Sequence, residues 1–228
     1  EIARPRYLDQ ELIELPSMAL GRARMELGHM GGIVDGMLEN IKPALQGRDL
    51  GGLARGFDQI VVLRDAVLVY LQKVGRHEFS DLEAGEHARL VTATGELEGM
   101  AAAISRDLAP LVAEFETAKI VLSKETAELL ERLLQAIEES ARSALHALVE
   151  RDEQAAQAVL AKRGEIAGLT AEVQQLQAAR LAQDDPDRFT KHRLQIELLD
   201  RLRRIYSVSE HMAISVLPRS LLAGDLYS

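Results

Sequence analysis

Six histidines, 36 Asp and Glu residues and a run of arginines near the C-terminus are the groups of this 228-residue chain that could do chemistry. The histidines (His29, His77, His87, His146, His192, His211) form no i,i+4 pair and no His-Glu-x-x-His, the spacing that puts two metal ligands on one helix face. They read as surface or interface side chains. No Gly-x-Ser-x-Gly nucleophile elbow and no Gly-rich loop leading to Lys-Ser/Thr is present. The chain has no Cys, which excludes a disulfide framework, a thiol nucleophile and any Cys-ligated zinc or iron–sulfur site. Nothing here assembles a catalytic centre, and neither a metal nor another cofactor is expected.

The carboxylates are spread as an acidic helical surface would spread them. Glu125, Glu128, Glu131, Glu138 and Glu139 lie along one helical stretch with Lys124, Arg132 and Arg142 within pairing distance. Di-iron bundles draw Glu-x-x-His from facing helices, and the chain is read as lacking that spacing. The net charge of −9 argues against a nucleic-acid partner, because phosphate neutralisation needs clustered Lys and Arg.

Only the last stretch reverses sign, with Arg188, Lys191, Arg193, Arg201, Arg203 and Arg204 outnumbering Asp187, Glu197 and Asp200. This run fits docking to anionic headgroups at a membrane surface or to an acidic partner. It fits better a solvated face with local ion pairs of little energy.

These groups must be carried by helices. Leu53, Phe57, Ile60, Leu63, Val67, Tyr70 and Val74 recur at steps of three and four. So do Leu130, Leu134, Ile137, Ala141, Ala144 and Leu148, and again Leu198, Leu202, Ile205, Met212 and Val216. The one β-flavoured run, residues 60–63, lies inside a helical stripe. The fold class is therefore all-α. Six helices are predicted over 14–47, 49–75, 80–119, 123–150, 152–183 and 186–217. Asp49, Ser80, Ser123 and Asp152 serve as N-caps, Pro186 sits in the first turn of the last helix, and Pro218 lies at its end. Pro43 and Pro110 fall inside helical patterns and are expected to kink them. Gly31-Gly32 and Gly51-Gly52 lower helix propensity locally, at places suited to close helix contact.

Connectors this short make neighbouring helices antiparallel. Ala44-Leu45-Gln46-Gly47-Arg48-Asp49 returns 103 residues later as Ala147-Leu148-Val149-Glu150-Arg151-Asp152, each time between the first and second helix of a triplet. Two tandem antiparallel three-helix bundles are expected, in domains 1–120 and 121–228. No apolar run approaches the roughly 20 residues that span a bilayer. The first residue is Glu rather than Met, which fits a piece of a longer protein.

Leu199-Asp200-Arg201-Leu202-Arg203-Arg204-Ile205-Tyr206-Ser207-Val208, followed by Met212-Ala213 and Leu217, resembles the closing helix of the PhoU-like cytosolic tail of sodium/phosphate cotransporters. Leu176-Gln177-Ala178-Ala179-Arg180-Leu181 is similar to the end of that family's penultimate helix. Phe57 to Leu71 and Leu97-Glu98 to Ile104 line up with its second and third helices. The resemblance covers essentially the whole chain. It implies two tandem three-helix bundles, on the cytoplasmic side of the cell membrane, regulating phosphate uptake by the transporter half of the same chain.

PhoU-like proteins often carry an acidic Glu/Asp-x-x-x-Asp pair on these helices. This chain has Phe57 and Val61, Glu98 and Ala102, Arg203 and Ser207 at the matching places, with Asp58 one step off. The family's metal clusters are therefore not carried over. Arg180, Arg201, Arg203 and Arg204 are the candidate interaction surface. A homodimer through the broad bundle faces is expected as well. A free-standing phosphate-uptake regulator and a purely structural helical bundle remain as alternatives.

Overall fold

A computed structural model describes residues 3–45, 50–119, 122–181 and 188–218, and among them every regular element is helical. The first rod is α1 (Pro16–Glu39) followed by α2 (Ile41–Leu45). Pro43 has no N–H to give to the carbonyl four residues back, and the rod breaks at Asn40, whose side chain donates to the Gly36 carbonyl at 2.8 Å. The second rod is α3 (Leu50–Val74). The third runs from α4 (Asp81–Ala102) through a π turn at Ala103–Leu108 into α5 (Ala109–Thr117). Pro110 explains the turn: an α-helix would require its missing N–H, and the chain widens instead, Ala109 donating to the Ile104 carbonyl.

The second half contains α6 (Lys124–Glu150), α7 (Glu153–Ala161), α8 (Arg163–Leu181) and α9 (Arg188–Val216). The expected six-helix pattern is thus present, with α7 and α8 forming one rod interrupted at Lys162. Three caps act as expected. Ser80 forms a reciprocal capping box with Glu83, Ser123 accepts from Thr126 N, and Asp152 accepts from Gln154 N and Ala155 N. Asp49 and Pro186 lie outside the described residues. Between α6 and α7, Arg151 turns the chain with φ 61°, the left-handed conformation in which many helices end.

The apolar positions of the three sequence stripes are buried, save Val216, which is partly so. Helices α1, α3 and α4 pack on one another, as do α6, α7, α8 and α9, and the two groups meet where α1 crosses α6 and α4 crosses α9. Their buried residues form one continuous core. Gly28 and Gly31 belong to the α1–α6 crossing: a Cβ at either would stand 3.7 and 3.4 Å from Val149. Gly32, by contrast, faces open space.

Charge complementarity decorates the seam. Arg142 pairs with Asp35 at 2.8 Å and Glu39 at 3.5 Å, across to α1 rather than along its own helix as the sequence suggested. Lys42 pairs with Glu131 and Arg193 with Glu114, while Arg204 meets Asp107 at 2.9 Å. Exposed pairs of this kind contribute about 0–1 kcal/mol each. They fix the register of the two halves, while apolar burial holds them together. No helix of the described residues is long and apolar enough to cross a membrane.

Candidate functional site

Two grooves run along helix pairs. The first lies between α1 and α3, encloses about 690 Å³ and has a floor of glycines at positions 32, 36, 52 and 56. Much of what surrounds it is already partnered. The segment before α1 is fastened by Glu26, a fully buried side chain. Its Oε2 accepts from Arg6 N at 2.8 Å and Tyr7 N at 2.7 Å, and its Oε1 meets His29 Nδ1 at 2.8 Å. Tyr7 packs edge-on against the His29 ring, and the Tyr70 hydroxyl donates to the Asp9 carbonyl at 2.9 Å. Glu26 and His29 do stand at Glu-x-x-His spacing, which corrects the reading that the chain lacks it. The structure uses that pair to hold backbone, with no second such pair facing it.

The second groove lies between α8 and α9 and encloses about 650 Å³. On α9, Asp200, Arg203, Ser207 and Glu210 follow at helical spacing on one face, with Arg204 and Tyr206 beside them. On α8, Ile166, Ala167, Thr170 and Ala171 form the opposite wall. Ala167 and Ala171 are exposed and put little side chain into the groove. Arg163 enters at the end of the groove near Glu210, its Nε donating to Glu210 Oε1 at 2.8 Å.

The three guanidinium groups are held differently. Arg163 and Arg204 each have the Nε edge against a carboxylate, Glu210 and Asp107 respectively. The partnership with Glu210 holds Arg163 firmly in its charged form. Arg203 is exposed and makes no hydrogen bond or ion pair among the described residues. The Tyr206 hydroxyl donates to the Val159 carbonyl at 3.0 Å, and burial pushes its pKa up to about 12. A groove in an acidic chain is thus lined by three positive charges, two of them held by carboxylates, and by the two negative charges of Asp200 and Glu210.

Of the four residues expected at a contact surface, the structure brings Arg203 and Arg204 together in this groove. Arg201 is half-buried on another side of α9 and does not line it. The Arg180 side chain lies outside the described residues. Arg163 was missed in the sequence. It follows Lys162, far from the α9 arginines along the chain, and only the antiparallel packing of α8 on α9 brings it beside them.

The places matching the family's acidic pairs are filled in other ways. Phe57 lies under the Arg106 guanidinium at 4.4 Å, Glu98 is ion-paired to Arg64, and Val61 and Ala102 pack against the core. Among the described residues no three His, Cys, Asp or Glu side chains converge as a metal site would require.

Comparison with known proteins gives a consistent direction. No family model matches the chain, and no solved structure matches it. Over 216 residues, 94% of the chain, it is 23% identical to a Salmonella typhimurium protein named "Putative inorganic phosphate export protein YjbB". Proteins of the same name from Escherichia coli strain K12 and Shigella flexneri are 22% identical over the same length. The chain spans 40% of the length of these relatives. It is a helical bundle similar, nearly end to end, to part of proteins named for phosphate export.

Proposed function

We propose that this chain is a non-catalytic, PhoU-like regulatory domain that modulates phosphate movement through a membrane transporter of the sodium/phosphate cotransporter type, from the cytosolic side. The observation that carries the reading is the extent of the similarity: 94% of the chain aligns within a minor part of longer proteins named for phosphate export. That pattern fits a unit joined to further chain that performs the transport. The geometry supports a binding and coupling role over chemistry. The site offers fixed guanidinium groups and hydroxyls but no nucleophile paired with a base.

The test is phosphate flux. The whole reading frame that contains the chain would be expressed in cells lacking other phosphate transporters, with and without residues 3–218, and uptake and efflux of labelled phosphate followed. Removal of the domain is expected to change the rate, or its response to internal phosphate, without abolishing transport. Identical flux and response would overturn the reading. Several apolar spans of about 20 residues in the same frame support the fused form, and a start codon within a few residues of Glu1 sinks it in favour of a free-standing regulator.

A further inference from the structure

We propose that the α8–α9 groove binds a tetrahedral oxyanion, and that the anion is inorganic phosphate. Arg203 carries the argument. In a chain of net charge −9 it is an exposed guanidinium without a carboxylate partner among the described residues, in a groove lined by two more arginines. Arg163 and Arg204 are oriented by carboxylates at their Nε edges. A guanidinium has five N–H donors in a planar fork, and those two pairings occupy one edge. Terminal N–H donors beyond those pairings, and beyond the Arg163 contact with the Tyr206 hydroxyl, can meet oxygens of a second anion, as arginine does with phosphate.

The two acidic lining groups do not cancel this. Asp200 and Glu210 are ten positions apart on α9, about 15 Å along the helix, with Arg203 and Ser207 between them. Glu210 is engaged with Arg163. Ser207 lines the groove one turn from Arg203 and adds a hydroxyl donor. Opposite them, Ala167, Thr170 and Ala171 leave room for an anion with its hydration shell, and the Thr170 hydroxyl is turned back to the Ile166 carbonyl. The oxyanion class follows from this geometry. The choice of phosphate rests on the function proposed above.

The experiment is calorimetric titration of the 228-residue chain with sodium phosphate at pH 7.5, ionic strength held constant with sodium chloride. Saturable binding at one site is expected, weakened about ten-fold or more by Arg203→Gln, the loss of one charge-assisted fork. Arg201→Gln, on the same helix but outside the groove, is expected to leave it unchanged. Because Arg203 is exposed, thermal unfolding of Arg203→Gln should match the parent, so the loss reads binding rather than folding. No saturable heat, or equal losses from both substitutions, overturns the site. Sulfate bound as tightly as phosphate overturns phosphate as its ligand. Vesicles containing phosphatidylglycerol separate free phosphate from a lipid headgroup: vesicle binding that depends on Arg203 without any phosphate titration also overturns the proposal. A domain that alters flux yet binds no phosphate sinks the groove assignment alone. Phosphate binding through Arg203, in a domain whose deletion leaves flux unchanged, sinks the functional reading alone.

Discussion

The two grooves differ in how their charged groups are treated. Beside the α1–α3 groove, Glu26 is wholly buried and each of its oxygens has a partner within the chain. In the α8–α9 groove, Arg203 is exposed and has no such partner among the described residues. A buried polar group with satisfied bonds is structural, since loss of one partner strands the others. An exposed charge held among fixed neighbours adds little to stability and remains available to bind. The contrast separates a place where the fold is fastened from a place where it can receive a ligand.

The sharpest way to break the contrast is Glu26→Ala. It strands the amides of Arg6 and Tyr7 and leaves a void, so unfolding in urea should show a loss of about 3 kcal/mol. Amide exchange at residues 6 and 7 should quicken beyond the global change. Stability equal to the parent would show that the segment before α1 is not fastened by this carboxyl group.

Next in size is the glycine floor. A Cβ at Gly56 would stand 2.6 Å from Met37 Cγ, so Gly56→Ala should cost about 1–3 kcal/mol by overpacking. Gly36→Ala meets nothing within 4 Å and should instead raise thermal stability by about 0.5–1 kcal/mol, as alanine does inside a helix. Equal effects would mean that α1 and α3 are not this close at Gly56.

Tyr206 gives a pH signature for the second groove. Its folded-state pKa, about 12, lies above the ordinary value of 10.0. The unfolded chain therefore loses the proton first. Its contribution to stability is full below pH 10 and is lost as pH rises through about 12. Tyr206→Phe should flatten part of that alkaline decline in denaturant midpoints. A curve unchanged by the substitution would place the titration elsewhere, Tyr70 being the other phenol raised by burial. The smallest effect is expected for Arg203→Ala: within about 0.5 kcal/mol of the parent by urea unfolding. A large loss there would make Arg203 structural and erase the contrast.

Much of this fold could be read along the chain, because helices have local punctuation. Ser80, Ser123 and Asp152 are short side chains placed where a first turn needs an acceptor, and apolar steps of three and four mark the buried face. The π turn was half legible. Pro110 announces a disturbed helix, but whether the chain kinks or widens depends on how α4 and α5 pack. Glu26 was not legible as a fastening point. It occupies a position in the apolar stripe of α1, between Ala23 and Met30, and only contact with residues 6 and 7 explains why a carboxyl group belongs there. The basic character of α9 was plain, and so was the i,i+4 pair of Arg193 with Glu197. Yet Arg193 also reaches Glu114 on α5, and Arg204 reaches Asp107 on the π turn, in another part of the chain. Pairing across a tertiary seam leaves no mark in local spacing.

The fastening at Glu26 also sets a mechanical geometry. A pull applied at Ala3 does not reach the bundle at Pro16, where α1 begins. It arrives at Glu26, close to the midpoint of a 24-residue helix. Tension there bears across the helix axis and in shear along two adjacent amide bonds, which must yield together. The load is therefore delivered to the middle of α1, one turn from the Gly28–Gly31 crossing with α6, instead of to its first turn.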